Sequence, residues 1–248
     1  MNIKDDPHYL KLNQLYNNVG KLTWNNNDFL EECLNVSRSL FTDKSLIARE
    51  PIPKKLEVFA LVSGLPFSEK MTNELVLIQN NITKTLGGSL HYWVKPSNFG
   101  VEHCIFKWPT DDWDDDWMYP IKQEVSSITR KPFEFTIQGI QINSDGCVVA
   151  KGYDEESTIF NIRKQMKDNI SFLPKKQSGW SHIPIGRILE PIGSKKFAIL
   201  ENLISELSDK LIVSDTITSI KFVHEHRWYM EEKSILTEVY LSECLQNE

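Results

Sequence analysis

The 248-residue sequence predicts an α+β chain built on antiparallel sheets, preceded by a helical segment. Three observations support this. Strand-like and helix-like stretches alternate without the regular spacing of βαβ units. Asn143-Ser144-Asp145-Gly146, a strong turn signal, separates two strand-like stretches and closes a hairpin. Two short histidine-bearing strands, one in each half, resemble each other and suggest two related lobes around a cleft.

Residues 1–50 read as helical. Tyr9, Leu10, Leu12, Leu15 and Tyr16 form one apolar stripe, and Phe29, Leu30, Cys33, Leu34, Val36 and Leu40 form another. Asn25–Asn27 and Asp28 supply turn and capping chemistry between them. Pro51-Ile52-Pro53 ends the pattern, because proline holds itself and its predecessor in extended backbone. The expected organisation is therefore an appendage over 1–50 and a main domain over 54–248.

The main domain opens with a buried strand at 56–63 (LEVFALVS) and an amphipathic helix over 68–86, stopped by Gly87-Gly88. Strands follow at 90–95 and 101–108, then a helix over 115–128. The hairpin pairs 133–142 with 147–153. The second half predicts a helix at 156–172, a strand at 180–189 and a helix at 194–207. It closes with strands at 217–230 and 235–241, turning at Glu231-Glu232-Lys233.

Bulk properties narrow the function. With 40% hydrophobic residues the chain can bury one large domain or two closely packed lobes. No apolar stretch approaches the roughly 20 residues of a bilayer span. The opening residues lack a basic segment followed by an apolar one, so no secretion signal is expected. Cys33, Cys104, Cys147 and Cys244 are scattered, which suits a reducing cytoplasm better than a disulfide framework or a zinc site. The net charge of −6 argues against a partner that is a long polynucleotide, since such partners are held by a basic stripe. A nucleotide ligand would be small, or a chain terminus.

The histidine strands are His103-Cys104-Ile105-Phe106 and His182-Ile183-Pro184-Ile185. Period-two alternation predicts that His103 shares a face with Ile105, and His182 with Pro184. Two imidazoles facing each other across a cleft suit the opening of a cyclic phosphate, with one as base and the other as acid. From pattern alone, a core histidine with a satisfied hydrogen bond is the commoner reading of each.

At these residues the sequence resembles the 2H phosphoesterase superfamily, which includes RNA 2′,5′-ligase-like and cyclic phosphodiesterase proteins and carries one His-x-Thr/Ser motif per lobe. The resemblance spans about 56–241. LEVFALVSGLPFSEKMTNELVLIQNNI is similar to the family's opening strand, loop and helix, and HYWVKPSNFGVEHCIF to the approach to the first motif. KPFEFTIQGIQINSDGCVVAKGY resembles the hairpin that follows. SHIPIGRIL resembles the second motif, and SIKFVHEHRWYM with ILTEVYL the last hairpin. The resemblance implies a bilobal fold with pseudo-symmetric antiparallel sheets around a central cleft. It implies His103 and His182 as the catalytic pair, Arg187 as a phosphate contact and no metal or organic cofactor. Arg187 reads equally as a salt bridge at a strand end.

Two positions depart from the family pattern. Where the family has phosphate-binding hydroxyls, this chain has Ile105 and Pro184, and neither side chain has a donor. Losing one such preorganised donor typically costs about 2.7–4 kcal/mol of transition-state stabilisation. Ser181 and Cys104 are next to the histidines and should point the opposite way. The expected function is a cyclic-nucleotide or 2′–5′ phosphodiesterase of reduced or altered activity. The alternative is an inactive member that binds a nucleotide, an RNA end or, through residues 1–50, a protein partner.

Four other features carry less specific signals. Thr110–Trp117 has five aspartates and two tryptophans and reads first as a solvated acidic loop, then as a cation site or a lid. Tyr92, Trp93, Trp180 and Trp228 are candidate ligand-lining aromatics, although most such residues are core. His224 and His226 share a strand face without an obvious third metal ligand. Gly87-Gly88 lacks the Lys-Ser/Thr of a phosphate loop.

Overall fold

A computed structural model describes residues 5–242 of the chain. Residues 1–4 and 243–248, Cys244 among them, lie outside the described residues. The N-terminal segment forms α1 (Pro7–Thr23), α2 (Glu31–Arg38) and α3 (Asp43–Ile47). Asp6 caps α1 by accepting from His8 N at 2.8 Å, and Pro7 occupies the first turn.

The rest is strand-rich: β1 (Lys55–Gly64), α4 (Glu69–Leu86), β2 (His91–Trp93), β3 (Gly100–Lys107), α5 (Met118–Ser126), β4 (Phe133–Ile142), β5 (Cys147–Tyr153), α6 (Thr158–Asn169), β6 (Ile183–Ile188), α7 (Ser194–Leu207), β7 (Leu211–Ile217), β8 (Ser219–Arg227) and β9 (Glu232–Tyr240). Ser68 caps α4 through Met71 N, and the helix stops where Gly87 takes left-handed backbone at φ 53°.

The strands form two wholly antiparallel sheets, one ordered β3-β1-β8-β9 and the other β2-β6-β5-β4-β7. Their order matches the predicted elements, with one addition. The strand expected over 217–230 is β8 in the four-stranded sheet, and β7 precedes it in the five-stranded sheet over residues where the sequence predicts no strand. β7 is an edge strand with exposed and polar positions, so it lacks the apolar alternation that would identify it.

α4, α5, α6 and α7 cover the outer faces. Leu75, Ile82, Ile121, Ile162 and Leu200 pack against Leu61, Cys104, Phe106, Ile137 and Phe222 in one core. The N-terminal helices belong to this body as well. Leu34 and Phe41 lie in the same core, and Tyr9, Leu12 and Tyr16 of α1 pack on Cys147, Val149 and Tyr153 of β5. α1 therefore covers part of the sheet face that farther along borders the cleft.

Gly152 of β5 sits where the chain entering β6 comes closest. A methyl group there would lie 2.0 Å from Ser181 O and 2.3 Å from Phe135 Cζ. Gly152→Ala is expected to cost about 1–3 kcal/mol through overpacking, readable as a lower denaturant midpoint. An unchanged midpoint would show that this approach is not tight.

Candidate functional site

The two sheets enclose a cavity of about 470 Å³, within the range of roughly 300–1,000 Å³ common for small-molecule sites. Val58, Ala60 and Val62 of β1, with Glu102 and Ile105 of β3, form one wall. His182, Pro184 and Arg187 form the opposite wall, and Val36 and Leu40 of the N-terminal segment close one side.

β3 does not present its residues in simple alternation. Leu61 pairs with Cys104, but Val62 pairs with Glu102, so His103 is an extra residue in a β-bulge. The bulge resets the alternation, because a one-residue slip moves side chains to the other face. Glu102 and Ile105 face the cavity, while His103 turns into the core and is 0% exposed. The expectation that His103 shares a face with Ile105 is therefore corrected.

His103 Nε2 lies 2.8 Å from Ser63 Oγ, and Ser63 spends its hydroxyl proton on Ser219 O at 3.0 Å. Nε2 is accordingly the protonated nitrogen, and Nδ1 is buried without a partner. Burial, helped by the charge of Arg163, pushes the His103 pKa down to about 3. The ring is neutral at physiological pH and has no path to a ligand in the cavity.

The second motif keeps the expected geometry at its start. His182 and Pro184 share the cavity face. Val149 pairs with Pro184 and Val148 with Gly186, so Ile185 is the extra residue of a second irregularity. This offset carries Arg187 onto the cavity side; strict alternation from Pro184 would have turned it away. His182 packs edge-on against Trp180 with ring centres 5.3 Å apart. Burial, then the charges of Arg187 and Arg163, lower its pKa to about 4.

Arg187 reaches the cavity with its charge already matched. Nη1 donates to Asp145 Oδ2 at 2.6 Å and to Ser37 Oγ at 2.8 Å, and Nε donates to Tyr229 OH at 2.8 Å. The salt-bridge reading of this residue describes the arrangement. Arg163 of α6 ties the two motif strands together. Its Nε donates to His103 O at 2.8 Å, and its Nη2 to Glu102 O at 3.1 Å and Trp180 O at 3.0 Å.

Sequence reasoning missed two acidic groups. Glu102 lines the cavity, its Oε1 is buried without a hydrogen-bond partner, and burial raises its pKa to about 7 against the lowering effect of Arg163. Glu225 lines the cavity from β8, and burial raises its pKa to about 7 although Met230 N donates to it at 2.9 Å. The available signal was a glutamate on the face of β8 that Val223 keeps apolar. Gln177 was missed too. Its side chain accepts from Ile105 N at 2.9 Å and donates to Ile105 O at 2.8 Å, closing the edge of β3.

An outer cavity of about 720 Å³ adjoins the first, and Trp108, Lys176 and Trp228 line both. The acidic stretch borders it through Asp111 and Asp112. Trp113 stacks on Phe59 at 4.4 Å and Trp117 on Phe172 at 4.6 Å, so both tryptophans anchor the stretch to the body. Tyr92 is buried with its hydroxyl on Glu231, and Trp93 Nε1 donates to Thr83 Oγ1 at 2.8 Å. His224 stacks on Phe59 at 4.2 Å, and His226 Nε2 is 3.0 Å from Ser234 Oγ. No group of three or more His, Cys, Asp or Glu side chains among the described residues is placed to hold a metal. No described helix is long and apolar enough to cross a membrane.

Compared by sequence, the chain matches no family model and no curated protein. Compared by structure, it is similar to Escherichia coli LigT complexed with phosphate at 8% identity and a TM-score of 0.51, over 77% of this chain and 100% of LigT. It is similar to TT0787 of Thermus thermophilus at 11% identity and 0.52, over 74% and 97%. It is also similar to the conserved protein ATU0111 of Agrobacterium tumefaciens at 13% identity and 0.55, over 75% and 86%. LigT has also been crystallised with ATP and with 3′-AMP. The chain has the bilobal α+β fold of these proteins, with two antiparallel sheets about a cleft.

Proposed function

We propose that this chain is a member of the 2H phosphoesterase superfamily that binds a small nucleotide and has lost two-histidine hydrolysis. The observation that carries the reading is the bulge at His103, which turns Glu102 toward the cavity and His103 into the core. Opening a cyclic phosphate needs an acid and a base within hydrogen-bond reach of the reacting oxygens. Of the expected pair, His182 lines the cavity and His103 is held to Ser63 behind the sheet.

Other features of the site support the same reading. Ile105 and Pro184 line the cavity without donors, and Arg187 is paired with Asp145. A nucleotide ligand is supported by the fold shared with LigT, which takes ATP and 3′-AMP, and by the cavity's size. The net charge of −6 supports a small ligand over a long polynucleotide. Residues 1–50 serve ligand binding in this reading, since Val36 and Leu40 help to enclose the cavity.

The test is hydrolysis of a panel of 2′,3′-cyclic nucleotides and 2′–5′ dinucleotides in EDTA, beside calorimetric binding of the same compounds. Binding without turnover above the His103→Ala/His182→Ala control is expected. Turnover that disappears in that control would overturn the proposal. Restoring both hydroxyls in an Ile105→Thr/Pro184→Thr variant is expected to leave turnover at background, because His103 stays on the far side of β3. Recovered hydrolysis in that variant would mean that the missing donors, and not the bulge, silence the site.

A further inference from the structure

The inner cavity is poorly suited to a phosphate and well suited to something flatter and less charged. Its walls are mostly apolar, with Val58, Ala60, Val62, Leu65, Ile105 and Met230 among them. Apart from Lys176, which lines both cavities, the cations nearest it are committed. Arg187 is bound to Asp145, and Lys221 Nζ donates to Gly64 O at 2.7 Å and Leu65 O at 3.3 Å. Two carboxyl groups, Glu102 and Glu225, face the same space, and a phosphate there would meet like charge wherever they are ionised. Outside, Lys175 and Lys176 are the described side-chain cations lining the second cavity, beside Asp111 and Asp112, with Lys176 5.6 Å from the Trp108 ring centre.

We infer that the inner cavity is a nucleobase pocket, in which a base sits edge-on to Glu102 and Glu225 and its phosphate stays outside near Lys175 and Lys176. This rests on the nucleotide reading and adds the orientation. The buried Oε1 of Glu102, without a partner, is the strongest pointer. A neutral carboxyl donates one hydrogen bond and accepts another, matching the ring nitrogen and amino group of adenine or cytosine. An ionised carboxylate accepts two, matching the two adjacent N–H groups of guanine. Uracil presents N3–H beside a carbonyl, an edge that the neutral carboxyl also pairs with. Because Trp108, Lys176 and Trp228 line both cavities, a nucleotide can span from one to the other.

The experiment is calorimetry on the full chain with cytidine, adenosine, guanosine, uridine, their 5′-monophosphates and inorganic phosphate. The expected result is that the nucleosides bind, and that Glu102→Ala, which leaves the base edge without its partner, weakens them at least about tenfold. Inorganic phosphate is expected not to compete with them. Glu102→Gln is expected to keep nucleoside binding, because an amide carries both a donor and an acceptor. Lys175→Ala/Lys176→Ala is expected to weaken the monophosphates and leave the nucleosides unchanged. Competition by inorganic phosphate, or nucleoside binding unchanged in Glu102→Ala, would overturn the orientation while the nucleotide reading stands. Absence of binding by every nucleoside and nucleotide would remove both.

Discussion

Replacing Arg163 with methionine is expected to lower the unfolding free energy by on the order of 3 kcal/mol at neutral pH. Its guanidinium donates to the carbonyls of Glu102, His103 and Trp180, two on the first motif strand and one just before the second. Methionine fills much of the volume but donates to none of them, and each buried carbonyl left alone costs about 1–3 kcal/mol. Part of that is offset, because removing a buried cation also removes its desolvation cost. Burial lowers the Arg163 pKa and its Nη1 has no partner, so this offset is substantial. Urea denaturation reads the loss. A second readout separates local from global effects: the charge of Arg163 helps to hold the His182 pKa down at about 4, so in the variant this value should rise. Stability equal to wild type with an unmoved His182 would show that Arg163 does not tie the two lobes.

Stability is expected to peak near pH 4.5 and to fall by on the order of 3 kcal/mol between pH 5 and 8, through groups that are buried uncharged. Two sets of groups act with opposite signs. His103 and His182 have native pKa values of about 3 and about 4, below the ordinary 6.5. The unfolded chain therefore binds their protons first as pH falls below 6.5, and stability is lost toward acid. Glu102, Glu225 and Asp154 are each raised by burial to about 7 from ordinary values of 4.5, 4.5 and 3.8. The native state keeps their protons while the unfolded chain loses them, so stability is lost as pH rises through that interval. Between about pH 4.5 and 6.5 the sets nearly cancel, with the three carboxyls outweighing the two imidazoles. The loss is steepest between about pH 6 and 7, where the imidazoles cease to oppose it and the native carboxyls still hold much of their proton. Urea midpoints across this range test the argument, and Glu102→Gln and Glu225→Gln should each flatten the curve. A profile that rises from pH 5 to 8 would show that these carboxyls ionise freely in the native state.

Much of the architecture was legible before any coordinates. The hairpin of β4 and β5, the span of α7 and the caps of α4 follow from local chemistry, namely turn residues, apolar periodicity and a serine or glycine at a helix end. The missing donors were equally plain, because a side chain without a polar hydrogen lacks it in every fold. Pro184 and His182 reach the cavity on one strand face, as period-two alternation predicts. Tertiary structure decided the face that each remaining strand residue takes. The extra residue at His103 and the one at Ile185 arise from how β3 pairs with β1 and how β6 pairs with β5. Such a bulge belongs to the pairing of two strands and leaves no mark in the period of either one. One slip sends an expected catalytic histidine into the core and brings Glu102 forward, and the other brings Arg187 forward to be claimed by Asp145. Strand identity was written in local sequence. Register, and with it the chemistry of the cavity, was set by partners distant along the chain.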